Sequence, residues 1–280
     1  MKPDLRYEER SPPPELAGSI RRVWTLTGPA LTSRRLEIEP IVPDGCPEIV
    51  LNVGDPFLQV DGEGVLVRQP RSMLVGQLTR SAFVGPEGVT RIVGLRFLPW
   101  GASLFLGMPM TEVRNAFLPL DSVIAGGMEE LADRLATATS DNWAEAVFEY
   151  LRNGLKDQLD GRRPLSAHAV EEISSGAGRT SVRLLARRLH VSERHLERVM
   201  RRDVGLAPIV LARILRLQRV LQLMRRRPGC PLGEVAVRAG YFDHSHMVRE
   251  FRRIVGCTPT QFGGAQYELT NHFIMETPTT

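Results

Sequence analysis

Two short stretches of this chain array guanidinium, carboxylate, imidazole and hydroxyl groups at helical spacing. Such groups hydrogen-bond to the base edges and phosphates of duplex DNA. In the first stretch, taking Leu196, Val199 and Met200 as a buried stripe leaves Glu193, Arg194, Glu197, Arg198 and Arg201 outward, with His195 near the edge. In the second, Met247, Phe251 and Ile254 form the stripe, and His244, Ser245, Val248, Arg249, Arg252 and Arg253 face out. Arginine can bond guanine O6 and N7 together, glutamate can accept from cytosine N4, and valine can touch a thymine methyl. Arg201, Arg202, Arg252 and Arg253 come late in their helices and suit phosphates, which set register without reading sequence. The competing reading is that these arginines solvate helix surfaces or pair with Glu197 and Glu250.

The elements that would position these side chains are written twice. Leu196-x3-Met200-x4-Gly205-x2-Pro208 recurs as Met247-x3-Phe251-x4-Gly256-x2-Pro259, offset by 51 residues. An alanine-centred apolar segment precedes each copy: Val182, Leu185, Ala186 and Leu189, then Leu232, Val235 and Ala236. The pattern predicts helix, turn, helix, glycine stop and proline, and two such units can enter neighbouring stretches of major groove. Ser181 and Ser192 are the expected N-caps of the first unit. Gly205 and Gly256 fall where a left-handed cap is wanted. Pro208 is expected to start a long linking helix that runs to about Arg226 and stops at Pro228-Gly229. Ile209, Ala212, Leu215, Val220 and Leu223 lie in its apolar surface.

Charge follows the same division. Residues 161–262 hold 20 arginines against 8 acids, a surplus of +12, so the rest of the chain carries −8 of the overall +4. That asymmetry points to a nucleic-acid-binding half joined to one with another task. Residues 1–125 show short β-like runs at Arg35–Val42, Glu48–Val53, Val65–Val67, Met73–Val75 and Arg91–Phe97, punctuated by Pro and Gly. They predict a sandwich or small barrel, with Ile49, Leu51 and Val53 inward. From Met128 the spacing turns helical through Leu131, Leu135, Trp143, Val147, Tyr150 and Leu151. Gly161-Arg162-Arg163-Pro164 breaks that pattern. The expectation is an α+β chain of two domains: residues 1–160 for sensing or dimerisation, 161–264 for DNA, and a frayed tail at 265–280.

Ser192 to Pro208, followed by Gly240-Tyr-Phe-Asp-His-Ser-His-Met-Val-Arg-Glu-Phe-Arg-Arg-Ile-Val-Gly-Cys-Thr-Pro259, closely resembles the AraC/XylS family of bacterial transcription regulators. The resemblance spans about residues 163–262. It implies two helix-turn-helix subdomains on one long helix, usually an activator that contacts RNA polymerase. It puts base contacts on Arg194, Glu197, Arg198, His244, Ser245, Val248 and Arg249. Phosphate contacts are expected at Ser192, Arg201, Arg202, Arg252 and Arg253. The chain departs from the family pattern at two positions. His190 stands where glycine is frequent in the first turn, and Gly263 where the family often has arginine. Pro43-Asp44-Gly45-Cys46-Pro47-Glu48, Val75-Gly76-Gln77 and Gly94-Leu-Arg-Phe-Leu-Pro-Trp-Gly101 resemble a cupin-like sensor domain found in some of these regulators, its ligand unassigned.

The first histidine is His168, so residues 1–160 cannot build a histidine-based metal centre or a histidine-dependent catalytic triad. His244-x-His246 is badly spaced for metal on one helical face. No cofactor, metal or enzymatic activity is expected. Asp44, Cys46, Glu48 and Trp100 are the candidate effector contacts. Alternatively Asp44 and Glu48 cap a turn, Cys46 packs beneath it, and Trp24, Phe83, Phe97 and Trp100 are core aromatics. Three scattered cysteines suggest a reduced cytoplasm. No apolar run approaches the roughly 18 residues of a membrane span, and the first residues lack the apolar core of a secretory signal. The partners expected are double-stranded DNA, RNA polymerase, and a small-molecule effector or partner protein, with homodimerisation open. The alternatives are a constitutive DNA-binding regulator whose N-terminal half only dimerises, and an enzyme held on DNA by its basic half.

Overall fold

The computed structural model describes residues 5–274 except 31–36, 125–127, 138–141, 156–162, 177, 180, 266 and 273. Of the 161–164 break, residues 161 and 162 lie outside the described residues.

Among the described residues the N-terminal half carries ten strands: β1 (Arg6–Arg10), β2 (Ile20–Gly28), β3 (Glu39–Ile41), β4 (Glu48–Asn52), β5 (Phe57–Val60), β6 (Leu66–Arg68), β7 (Ser72–Val75), β8 (Ala82–Pro86), β9 (Thr90–Phe97) and β10 (Phe117–Pro119). They form two antiparallel sheets, one ordered β1-β2-β9-β4-β7-β10 and the other β3-β8-β5-β6. The barrel alternative is thereby corrected: the sheets stay separate and make a sandwich. The described residues of this half also form the α-helices α1 (Gly101–Leu106), α2 (Met128–Thr137) and α3 (Trp143–Leu155).

The six-stranded sheet is covered on both faces, which explains why β4 reads as a continuous apolar run rather than an alternating one. Ile49, Leu51, Leu74, Val93 and Leu95 pack with Met128, Leu131, Leu135, Val147 and Leu151 of α2 and α3. Val50, Met73, Ile92, Trp24 and Leu26 face the other way, towards Phe57 and Val84 of the smaller sheet. The predicted inward set on β4 was one face of a strand that is buried on two.

The C-terminal half is helical throughout its described residues: α4 (Leu165–Ser175), α5 (Val182–Arg188), α6 (Glu193–Val204), α7 (Pro208–Arg226), α8 (Leu232–Ala239), α9 (His244–Val255), α10 (Pro259–Gly264) and α11 (Glu268–His272). The long α7 serves two cores. Its first half buries Leu211, Ala212 and Ile214 with α4, α5 and α6, and its second buries Leu217, Val220 and Leu221 with α8 and α9. Ile209, expected within that apolar surface, is exposed. The expected tail is also corrected, because Leu269 and Thr270 of α11 are buried against the smaller sheet.

The halves meet through the Pro43–Cys46 turn. Gln218 Nε2 on α7 donates to the Pro43 carbonyl at 2.8 Å, and Val42 joins the core of the second helical unit. Gly45, at φ 83°, lies so close to Leu211 that a β-carbon there would stand 2.9 Å from its Cδ1.

One close approach inside the sandwich tests this packing. Gly94 pairs with Trp24 across β9 and β2, and a β-carbon at Gly94 would fall 2.0 Å from the indole. Gly94→Ala is expected to cost about 1–3 kcal/mol through overpacking, read as a lower thermal midpoint; an unchanged midpoint would contradict this register.

Candidate nucleic-acid interface

Each reading helix is built by local capping. The Ser192 hydroxyl accepts from His195 N at 3.1 Å to start α6, and Asp243 Oδ1 accepts from His246 N at 2.6 Å to start α9. Gly205 (φ 80°) and Gly256 (φ 94°) end them in left-handed caps, as the spacing predicted. His190 adopts φ 54° where its counterpart Gly240 adopts 92°. The first turn thus keeps the geometry that glycine provides in the second, at a steric cost that histidine tolerates.

The predicted buried stripes are buried: Leu196, Val199 and Met200 on α6, and Met247, Phe251 and Ile254 on α9. The opposite faces reach solvent. Arg194, Arg198, Arg201 and Arg202 are exposed, and so are His244, Ser245, Arg249, Arg252 and Arg253, while Glu197 and Val248 are half-buried. Ser192 is exposed as well, its hydroxyl already used as a cap.

Partner choice separates the arginines into groups. Arg198 Nη2 contacts His195 Nδ1 at 3.0 Å, Arg201 lies 3.7 Å from Glu197, and Arg202 Nε donates to Asp203 at 2.6 Å. Among the described residues Arg194, Arg249, Arg252 and Arg253 form no ion pair. Glu250, a suspected partner for the outward arginines, instead turns inward to α7. Its carboxylate accepts from Arg216 Nη2, both oxygens at 3.3 Å, and Arg213 Nε stands 3.5 Å away. Arg216 also donates to the Gly178 carbonyl at 3.0 Å and stacks 5.3 Å from the Tyr241 ring centre. Sequence reasoning missed this clamp, since arginines on a helix read as surface until their neighbours are known.

The N-terminal half touches the far end of both readers. Met110 N donates to Arg202 O, and Ser81 N to Ile254 O, each at 2.8 Å. An open groove of about 680 Å³ separates the Arg194, Glu197, Arg198 and Arg201 face of α6 from Pro109 and Thr111.

The four candidate effector residues are not gathered around one space. Asp44 Oδ1 accepts from Cys46 N at 2.9 Å, a turn cap, and Asp44 Oδ2 lies 3.6 Å from Arg96 Nε. Glu48 pairs with the same buried guanidinium. Burial pushes the Glu48 carboxyl above the usual carboxylate range; Arg96 opposes that rise and Asp44 adds to it. Cys46 is buried beneath the turn, and burial together with Asp44 pushes its thiol up to about 12. Trp100 Nε1 donates to Gly18 O at 3.0 Å, and its ring packs with Ala167, Val170 and Leu211 of the helical half. Glu48 is the one of the four that lines a cavity between the sheets.

Residues 185–264 match a family described as a helix-turn-helix domain, and residues 8–119 match one described as a domain of unknown function. No curated protein matches the chain. Among solved structures, ToxT from Vibrio cholerae is similar over 94% of this chain and 98% of its own, at 10% identity and a TM-score of 0.49. ToxT bound to an unsaturated fatty acid is similar over 87% and 98%, at 11% identity and 0.48. A DNA-binding transcriptional dual regulator from Escherichia coli K-12 is similar over 36% of this chain and 97% of its own, at 25% identity and 0.33. The family match begins in α5 and ends with α10, so it takes in both exposed arginine-bearing helices. With that interface it marks residues 185–264 as a helix-turn-helix DNA-binding domain.

Arg216→Ala leaves the half-buried Glu250 with its main partner gone and is expected to lower unfolding stability by about 1–3 kcal/mol, measured by denaturant titration; no measurable loss, as for many surface pairs, would contradict the clamp. In native protein at pH 8, iodoacetamide is expected to label Cys230 and Cys257 and to reach Cys46 only on unfolding, because the thiolate is the nucleophile. Rapid native labelling of Cys46, seen by peptide mass mapping, would contradict its burial.

Proposed function

We propose that the chain is a sequence-specific transcription regulator, acting as an activator, whose N-terminal sandwich responds to a small molecule or partner. The base contacts in this reading are Arg194, Glu197 and Arg198 on α6, and His244, Ser245, Val248 and Arg249 on α9. Ser192, Arg201, Arg202, Arg252 and Arg253 hold phosphates. The observation that carries the reading is the double set of exposed, outward residues on two capped helices that share α7 as a support. Two units of that kind engage two stretches of groove on one duplex.

The sensing role is supported by where the N-terminal half makes contact. Met110 and Ser81 bond to the last turns of α6 and α9, so a shift of the sandwich changes the surroundings of both readers together. A ligand acts here only by binding the two arrangements with different affinity. The unsaturated fatty acid bound to ToxT is a property of that protein; for this chain the effector class follows from the walls of its own cavity. Activation would run through contact with RNA polymerase, and the exposed edge strand β1 is available for pairing with a second copy of the chain.

Arg249→Ala is expected to weaken binding to a selected site by about 1–3 kcal/mol and to relax choice at one base pair. Replacing Arg252 and Arg253 together should weaken all sequences alike and reduce the salt dependence by about two phosphate contacts. Fluorescence anisotropy on matched and single-mismatch duplexes at several salt concentrations reads both effects. Unaltered base choice in Arg249→Ala would remove Arg249 from the reading set.

A further inference from the structure

The C-terminal segment folds back across the molecule and enters the sandwich. The backbone N–H groups of Leu269 and Thr270 donate to Glu39 Oε2 at 2.8 and 3.4 Å, and the Thr270 hydroxyl donates to the Pro40 carbonyl. His272 stacks on Tyr7 with ring centres 4.8 Å apart. Asn271 O accepts from Arg225 Nη1 on α7 at 3.0 Å. Through these contacts Leu269 is carried between the two sheets and packs with Trp24, Phe57, Met73, Val84 and Ile92 at 3% exposure.

Beside Leu269 a space of about 70 Å³ remains between the sheets. Its walls are the same apolar side chains, with Gln69 and the Arg96-paired Glu48 as polar points. Withdrawal of a leucine side chain would enlarge it towards the order of 150 Å³, the size of apolar cavities that stay dry and accept benzene. A helix of five residues has no stability of its own in water. The order of α11 therefore comes from its contacts with Glu39, Tyr7 and the cavity, and it belongs to the class of elements that open locally at low cost.

We propose that Leu269 is a built-in stopper. In the resting chain α11 fills the space between the sheets. An uncharged, apolar molecule the size of one or two fused aromatic rings takes its place, freeing α11 and loosening its tie through Arg225 to α7. The ligand class follows from the walls: Glu48 is committed to Arg96, so the space offers no counter-charge to an ion. The inference rests on the sensor reading of the N-terminal half and gives it a moving part.

The test uses full-length protein with indole as the probe, and isothermal titration of wild type, Leu269→Ala and Glu39→Gln. Glu39→Gln loosens α11 without altering the cavity walls, so it keeps the test intact if Leu269→Ala folds poorly. When a site is open only part of the time, its apparent affinity falls by that fraction. Both variants are therefore expected to bind indole about tenfold more tightly than wild type, and indole should speed proteolysis of wild type at residues 265–280. Equal or weaker binding by both variants, or no indole binding by any of the three proteins, overturns the stopper. DNA affinity that responds to indole while both variants bind it as wild type does would leave the sensor reading standing and remove the stopper alone.

Discussion

One half-buried guanidinium holds the two reading units in a common frame. Arg216 rises from the middle of α7, bonds the Gly178 carbonyl in the loop before α5, and carries the Glu250 carboxylate of α9 on its other edge. The loop that leads into the first unit and the recognition helix of the second are therefore fixed to the same side chain. Such a pair adds little net stability, because taking both charges from water costs about as much as their attraction returns. Its effect is on geometry. Any arrangement that slides α9 along α7 leaves a half-buried charge unpaired, so one relation between the readers is favoured over its neighbours.

A similarly small set of contacts joins the sandwich to the readers. The Pro43–Cys46 turn, capped by Asp44 and tied to Gln218, rests on α7, while the last turns of α6 and α9 receive hydrogen bonds from Met110 and Ser81. Arg96 underlies that turn, pairing with Asp44 and Glu48 in the protein interior. The acidic residues singled out as candidate ligand contacts are thus parts of the joint between halves. A charge that is satisfied within the joint has little left to offer a ligand, and the space proposed for an effector lies instead among the apolar side chains between the sheets.

Local signals carried most of the C-terminal half. The repeat at an offset of 51 fixed both units, because caps, buried stripes and glycine stops are set by residues within a few positions of each other. Both recognition helices and the long α7 lie where the spacing put them. The sandwich was legible in class and incomplete in detail: β1, β2, β5, β8 and β10 were overlooked, since Arg6–Arg10 is polar, Ile20–Gly28 alternates irregularly around a bulge and Phe117–Pro119 is only three residues long. Non-local facts were out of reach. That Arg216 is drawn off the surface, that Glu250 points inward and that Leu269 fills a cavity each depend on residues more than thirty positions away. The polar, threonine-rich end of the chain looked like a tail because its partner, Glu39, lies at the other end of the sequence.

The central claim is that the two recognition helices act as one rigid pair, and selection of bound sequences from random duplexes by the full-length protein tests it most directly. A rigid pair predicts two short specified blocks at one fixed separation, about 10 base pairs centre to centre, and loss of binding when half a turn of DNA is inserted between them. Two blocks recovered at freely varying separations, or a single block with no second, would contradict it.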